Sequence, residues 1–292
     1  MVKQPHFNGK LAVVNRDTDN LAWRIGGPQG SGINRIARLF ARACASQGAE
    51  VICRREYHSN IMGRHSYNDV LMSSSPVSCH RESTDVLVTF DAETLCRHAY
   101  SVASSGIILY SDHDADIQLN QLPYLDEPLR DHISARLSSN RLPPSTQGLL
   151  QMVRQRGVTA ISVPYQSLLS GIGEELGLPK KRVSATLNML AVAMSAALLK
   201  MSELQLLKAM ETTFANKAEI IRMNRQAVSI AYEYVLEHLE QSPMSVPSKS
   251  TGHRLLLNAT QSVALGKLAA GMGFQSYYPI SPATDESTYL EA

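Results

Sequence analysis

The stretch Leu21-Ala-Trp-Arg-Ile-Gly-Gly-Pro-Gln-Gly-Ser-Gly32 decides the fold. Its apolar first half predicts a strand, and its glycines predict a tight turn into a helix. Apolar residues recur at helical spacing from Ile33 to Cys44, and Gly48 follows as a C-cap. Because Glu50 to Arg54 predicts a second strand, the region is a strand–helix–strand unit, whose crossover favours a parallel sheet.

Strands and helices continue to alternate after this unit. Further strands are predicted at Tyr67–Ser74, Asp85–Phe90, Gly106–Tyr110 and Val158–Val163. Helices are predicted at Ala92–Val102, Leu168–Leu176, Val183–Lys200, Glu203–Phe214 and Ile220–Glu240. Residues 115–156 contain four prolines and are expected to carry one amphipathic helix, around Leu129 to Leu137. The pattern predicts an α/β fold, a three-layer Rossmann-like domain with a mostly parallel sheet and a helical C-terminal part.

The composition of the chain changes after residue 240. Residues 241–253 are small and polar, as in a linker, and separate a first domain over 1–240 from residues 254–292. That last segment predicts a helix at Ala259–Gly271, a strand at Phe274–Tyr278 and the first turn of another helix. It contains too little apolar surface to fold alone, so we expect it to be the incomplete beginning of a second α/β domain.

Composition excludes several classes of protein. Hydrophobic residues make up 44% and charged residues 18% of the chain, which argues against disorder. The net charge of +2 gives no reason to expect a nucleic acid or a membrane as a partner. The amino terminus lacks the apolar core of a signal peptide, so a cytoplasmic protein is expected. The four cysteines show no metal-ligand spacing, and no metal site is expected.

The glycine loop has two interpretations. Backbone N–H groups of such a loop, together with a helix N-terminus, bind phosphate. Alternatively, the glycines only permit a tight turn between strand and helix. Neither GxxxxGK[ST] nor GxGxxG is present in register. A third hypothesis is an NAD-dependent dehydrogenase, which needs an acid at the end of the second strand. Glu56 is suitably spaced for this, but the glycines are in the wrong register.

Several segments together resemble one family, the 2-oxoacid:ferredoxin oxidoreductases of the pyruvate/ketoisovalerate gamma type. Arg24–Gly32 resembles the start of the family's gamma domain, and Arg55–Ser66 resembles its second landmark, a tyrosine and a serine followed by Ile-Arg-Gly-Gly. Asn258–Gly266 and Tyr278–Pro282 resemble the start of the alpha domain, which carries Tyr-Pro-Ile-Thr-Pro. Asp85–Asp91, Val163, Pro164, Asn188 and the helix from Asn224 to Tyr232 also fit.

The resemblance implies a function and its cofactors. Such enzymes oxidatively decarboxylate a 2-oxoacid on thiamine diphosphate, pass the acyl group to coenzyme A and pass two electrons to ferredoxin. Thiamine diphosphate and Mg²⁺ would be completed by a missing alpha segment and a beta subunit, and an iron–sulfur cluster would lie on that partner chain. Residues 254–292 would begin the pyrimidine-binding domain of the alpha subunit, and this chain alone would be inactive.

The resemblance also implies site residues. The active-site hydroxyl of the alpha motif would be Ser281, flanked by Tyr278, Pro279, Ile280 and Pro282. On its own residues, this hydroxyl has a second interpretation, which is that it closes a proline-flanked turn.

By the resemblance, anion or coenzyme A binding would involve the glycine loop and the second landmark. The residues concerned are Gly27, Gly30, Gly32, Ser59, Gly63 and Arg64. The sequence departs from the family where Ser281 replaces threonine, where Met62 replaces arginine and where Arg64 replaces glycine. Either Arg64 substitutes for the missing arginine from a neighbouring position, or no residue takes over the role of that arginine. The alternative function is a stand-alone gamma-type module that binds coenzyme A or a partner subunit.

Overall fold

The computed structural model describes residues 19–57, 63–240, 242–249 and 255–291, with only the backbone of Tyr57. The chain divides after residue 250 into two compact units, unit 1 and unit 2. No helix in the described part of the chain is long and apolar enough to cross a membrane.

Unit 1 is built on a mixed sheet. Its strands are β1 (Asn20–Pro28), β2 (Glu50–Tyr57), β3 (His65–Ser73), β4 (Thr84–Thr89), β5 (Val102–Ser111) and β6 (Thr159–Val163). Their spatial order is β2-β3-β1-β4-β5-β6, and only β3 runs against the others. The mostly parallel α/β fold is thus confirmed. However, β1 and β2 do not pair, because β3 lies between them.

Helices cover both faces of the sheet. They are α1 (Ile33–Ser46), α2 (Ala92–His98), α3 (Glu127–Ser139), α4 (Thr146–Gln155), α5 (Tyr165–Leu176), α6 (Lys180–Val183), α7 (Leu187–Leu198), α8 (Glu203–Thr213) and α9 (Ala218–His238). Alternate residues of a strand face opposite sides, so β4 sends Val86 and Val88 toward α1 and α7 and sends Leu87 toward α2 and α4. The result is the expected three-layer arrangement.

One helix was missed, and one predicted helix is shorter than expected. Residues 115–156 hold a second helix, α4, which was missed because two prolines precede it and it contains Gly148. Ser145 caps α4 by accepting a hydrogen bond from the Gly148 amide, and Leu149 and Leu150 bury its inner face. The helix predicted from Ala92 ends at His98, since Val102 already belongs to β5.

Residues 242–249, which we call the strap, pack along unit 1. Met244 and Val246 are 8% and 5% exposed. The Val246 amide donates to the Leu199 carbonyl at 3.1 Å, and the Lys249 amide donates to the Gly48 carbonyl at 3.4 Å. Although its composition is that of a linker, the strap packs against unit 1, because Met244 and Val246 anchor it to the core.

Unit 2 consists of two helices and a connecting loop. Helix α10 (Ala259–Ala269) has a reciprocal capping box between Asn258 and Gln261, and α11 (Ala283–Glu291) follows the loop. The strand predicted at Phe274–Tyr278 is wrong: the segment is irregular, and Phe274 and Tyr278 are 85% and 77% exposed. A strand needs a neighbouring strand with which to form hydrogen bonds, and the described residues of unit 2 include no other strand.

Candidate functional site

The glycine loop joins the end of β1 to the start of α1. Gly30 and Gly32 have φ values of 92° and 89°, and Gly32 is the left-handed N-cap of α1. Residues other than glycine rarely adopt a positive φ, so the loop requires glycine at both positions. The turn leaves the first amides of α1 at the carboxyl end of the sheet, where ligands of open α/β sheets bind.

The segment Gly63–Arg64, which we call the second glycine segment, is hydrogen-bonded to this loop. The Gln29 amide donates to the Arg64 carbonyl at 2.7 Å, and the Gly63 amide donates to the Gln29 carbonyl at 3.0 Å. The predicted residues Gly30, Gly32, Gly63 and Arg64 therefore come together through the backbone. The guanidinium of Arg64 instead stacks on the Tyr124 ring, at 4.7 Å from its centroid.

Two residues of the expected site are not described. Ser59 and Met62 lie outside the described residues, so the expectations for them stay predictions. Gly27 is the penultimate residue of β1, where it pairs with Ser66 of β3.

Asn188, at the start of α7, fixes the glycine loop from the other side. Its Nδ2 atom donates to the Ser31 carbonyl at 2.6 Å. A Cβ atom on Gly32 would lie 3.0 Å from the same nitrogen, so the approach requires glycine as well as the positive φ. A helix that follows in sequence more than 150 residues later thereby holds the loop.

A cavity of about 930 Å³ opens beside the loop. Its walls are the glycine loop, the polar face of α1, the start of α7 and the segment from the end of α8 into α9. Four arginines line it: Arg35, Arg38, Arg42 and Arg55. No carboxylate is among the described residues that line it. A wall that holds several guanidinium ions and no carboxylate favours an anionic ligand, above all phosphate.

Polar atoms in the cavity wall lack partners. The Oε1 atom of Gln29 is buried without a hydrogen bond. Asn224 is only 3% exposed, and its side chain forms no hydrogen bond to a described residue. Because a buried polar group without a partner costs free energy, these two side chains are suited to binding a polar ligand.

A buried polar network lies on the opposite face of β1 and β3. Arg24 donates two hydrogen bonds to Asp69, from Nε at 2.6 Å and from Nη2 at 3.0 Å, and Arg54 donates to Asp69 at 2.9 Å. Arg24 also contacts Nδ1 of His98 at 3.0 Å. Nε2 of His98 lies 2.8 Å from Nε2 of His65, and both imidazoles are nearly inaccessible to solvent.

The contact with Arg24 favours one arrangement of the histidine protons. Arginine only donates, so Nδ1 of His98 accepts and its Nε2–H donates to His65. His65 then carries its own proton on Nδ1, which faces Oγ1 of Thr94 at 3.4 Å. The two imidazoles thereby connect Arg24 and Thr94 at the start of β3, next to Arg64 and the glycine loop.

Two aspartates meet near the start of α2. Asp91 accepts from the Thr94 amide at 2.6 Å, and the Oδ2 atom of Asp114 is buried without a hydrogen bond. Burial, followed by the nearby charge of Asp91, raises the pKa of Asp114 to about 6. Burial likewise raises the pKa of Asp91. These groups support α2 and do not line the cavity.

The loop Tyr278–Pro282 of unit 2 precedes α11. Ser281 is exposed, and its hydroxyl forms no hydrogen bond within the described residues. The Thr284 amide donates to the Ile280 carbonyl at 3.1 Å, which begins the helix. The interpretation of Ser281 as a turn-closing hydroxyl thus has no hydrogen bond to support it.

The described residues offer no metal centre. No three His, Cys, Asp or Glu side chains among them are placed to hold a metal ion. Cys44 and Cys96 are buried, Cys53 and Cys79 are exposed, and none of the four is paired in a disulfide. Glu56, the acid considered for a nucleotide ribose, lies 3.5 Å from Arg54 in an ion pair.

Sequence reasoning missed most of the cavity wall. The arginines of α1 carried a usable signal, because Arg35, Arg38 and Arg42 recur at helical spacing directly after the glycine loop. Arg55 lies within the second landmark, where the resemblance assigns it no role. Asn188 and Asn224 entered only through the family resemblance, without a role, since their position at the cavity depends on how α7 and α9 pack.

Comparison with known proteins identifies similar chains. A family model described as pyruvate ferredoxin/flavodoxin oxidoreductase matches residues 22–234. The chain is 34% identical over 273 residues to the alpha subunit of 2-oxoacid:ferredoxin oxidoreductase 1 from Sulfurisphaera tokodaii. It is 31% identical over 269 residues to the alpha subunit of 2-oxoacid:ferredoxin oxidoreductase 2 from Aeropyrum pernix. These matches cover 93% and 91% of the chain but 42% of each relative.

Solved structures show the same fold. A 2-oxoglutarate:ferredoxin oxidoreductase from Magnetococcus marinus, solved with 2-oxoglutarate, coenzyme A and succinyl-CoA bound, has a TM-score of 0.68 at 22% identity. That match covers 94% of this chain and 41% of the other. The gamma subunit of a keto/oxoacid ferredoxin oxidoreductase from Geobacter sulfurreducens has a TM-score of 0.51 at 15% identity, covering 76% of this chain and 99% of the other.

Proposed function

The chain belongs to the pyruvate ferredoxin/flavodoxin oxidoreductase family, and on that premise we propose that it is part of the alpha subunit of a 2-oxoacid:ferredoxin oxidoreductase. Residues 1–240 form its gamma domain, and residues 254–292 begin its alpha domain. The complete cytoplasmic enzyme oxidatively decarboxylates a 2-oxoacid, transfers the acyl group to coenzyme A and passes two electrons to ferredoxin.

The cavity beside the glycine loop carries this proposal for unit 1. Coenzyme A has a diphosphate and a ribose 3′-phosphate, and four arginines line the cavity with no carboxylate among its described wall residues. The first amides of α1 add backbone donors at one end. We assign to this chain the binding and orientation of coenzyme A for acyl transfer.

The other cofactors belong elsewhere in the enzyme. Thiamine diphosphate supplies the carbanion chemistry of decarboxylation. The described residues of this chain do not fit a Mg²⁺ or iron–sulfur site. The proposal therefore gives the diphosphate, Mg²⁺ and the cluster to a beta subunit and to further alpha-domain residues.

Ser281 is proposed as the hydroxyl that this chain presents to the cofactor and substrate. The loop from Tyr278 to Pro282 is exposed, and the Ser281 hydroxyl is not engaged within the described residues. A serine keeps the donor and acceptor capacity of the family's threonine and loses only the methyl group that restricts χ1.

The test is reconstitution with the beta subunit. Ferredoxin reduction that requires both a 2-oxoacid and coenzyme A supports the proposal, and Ser281→Ala should lower turnover while leaving the melting temperature unchanged. Absence of coenzyme A-dependent reduction in a stable complex would refute the enzymatic role. All described wall residues of the cavity lie in unit 1, which favours a second function. That function is a stand-alone coenzyme A-binding module, indicated by binding without the partner and without turnover.

A further inference from the structure

The arginines of α1 form a row rather than a cluster. Arg35, Arg38 and Arg42 follow one another at steps of three and four residues, so they lie on one face of the helix. With a rise of about 1.5 Å per residue, Arg42 lies roughly 10 Å along the helix from Arg35 and roughly 15 Å from Gly32. The row extends well beyond the reach of a phosphate bound at the glycine loop.

These side chains have no counterions among the described residues. Elsewhere on the surface, Arg182 pairs with Glu219 and Arg225 pairs with Glu211. Arg35, Arg38 and Arg42 have neither an ion pair nor a side-chain hydrogen bond to a described residue, although all three line the cavity. A solvated helix face commonly mixes charges of both signs, whereas this face carries one sign inside a concave site.

A ligand that engages the whole row needs two separated anionic groups. One group would bind the α1 amides and Arg35 beside Gly32, and the other would bind Arg42 at the far end, with Arg38 between them. Coenzyme A has this layout, because its diphosphate and its 3′-phosphate lie on opposite sides of the ribose. Dephospho-coenzyme A lacks the second group.

We infer that the α1 arginine row selects the 3′-phosphorylated form of coenzyme A, with Arg42 as the residue that determines this specificity. The inference rests on the proposed function, since it takes coenzyme A as the ligand of the cavity. It adds a discrimination between coenzyme A and dephospho-coenzyme A that depends on one end of the row.

Calorimetric titration of the full chain with each ligand tests the inference. We expect coenzyme A to bind at least about tenfold more tightly than dephospho-coenzyme A, because charge-assisted bonds to phosphate are the strong ones. Arg42→Gln should abolish that difference by weakening coenzyme A alone. Arg35→Gln should weaken both ligands by a similar factor. Arg136→Gln is the matched control, because Arg136 stacks on Tyr100 away from the cavity.

The outcomes distinguish failure of the inference from failure of the proposed coenzyme A binding. Equal binding of the two ligands to the wild-type chain would overturn the inference and leave coenzyme A as the ligand. The same holds if Arg42→Gln weakens both ligands equally. Failure of both ligands to bind, to the chain alone and to its complex with the beta subunit, would overturn the coenzyme A assignment itself.

Discussion

Substituting alanine for Gly26 should destabilise unit 1, although the change adds only one methyl group. A Cβ atom on Gly26 would lie 2.4 Å from Cγ2 of Thr94 and 3.5 Å from Cε1 of His65. Thr94 is completely buried, and its amide is tied to Asp91. The threonine side chain is short and β-branched, so its methyl group cannot move away by rotation of a long chain. The contact therefore has to be relieved by separation of β1 and α2.

The magnitude follows from two opposing effects. Overpacking of this kind costs about 1–3 kcal/mol. Replacing glycine by alanine recovers about 0.4–1 kcal/mol by restricting the unfolded chain. We therefore expect Gly26→Ala to lower the free energy of unfolding by about 1–2 kcal/mol, which corresponds to a melting temperature lower by roughly 2–8 °C for a domain of this size.

The neighbouring glycine is the matched control. A Cβ atom on Gly27 would lie 3.4 Å from Phe90, an ordinary contact, so Gly27→Ala should be close to neutral. Thr94→Ser removes the obstructing methyl and keeps the hydroxyl that faces His65, at a cost of about 0.8 kcal/mol. In this background Gly26→Ala should cost almost nothing, as measured by urea unfolding of all four members of the cycle. Equal losses for the two glycine variants, or a loss that Thr94→Ser leaves unchanged, would refute the steric argument.

Two other perturbations test the support of α2 and the strap. The raised pKa of Asp114, about 6, means that the folded state binds a proton more tightly than the unfolded state, so stability should fall as the pH rises from about 4 to 6. Asp114→Asn should reduce this fall and stabilise the protein by about 1–2 kcal/mol at pH 7; urea unfolding curves with the same pH dependence as wild type would contradict this, and Asp116→Asn, at an exposed position, is the control. Val246→Asp should release the strap to limited proteolysis, since a buried carboxylate without a partner is too costly. Ser245→Asp, at an exposed position of the same strap, should leave it protected, and equal cleavage of the two variants would argue against the anchoring role.

Local pattern was sufficient for most of the elements of unit 1. The run from Leu21 to Gly32 predicted both the strand and the glycine turn, because a short apolar run and positive φ are properties of single residues and their neighbours. Helix α4 escaped prediction because its only strong signals, the Ser145 cap and an apolar face, are offset by prolines and a glycine. The strand expected at Phe274–Tyr278 failed because strand formation depends on a pairing partner that lies outside the segment itself.

The sequence by itself determined the α/β class, the family resemblance and the positions of both glycine segments. Only the tertiary structure decided that β3 enters the sheet between β1 and β2, which places Asp69 between Arg24 and Arg54. It also decided that the cavity is lined by the α1 arginines while Arg64 stacks on Tyr124. The reason is physical: periodicity states which face of an element is polar, but the partners of that face come from segments distant in the chain, and packing alone brings them together.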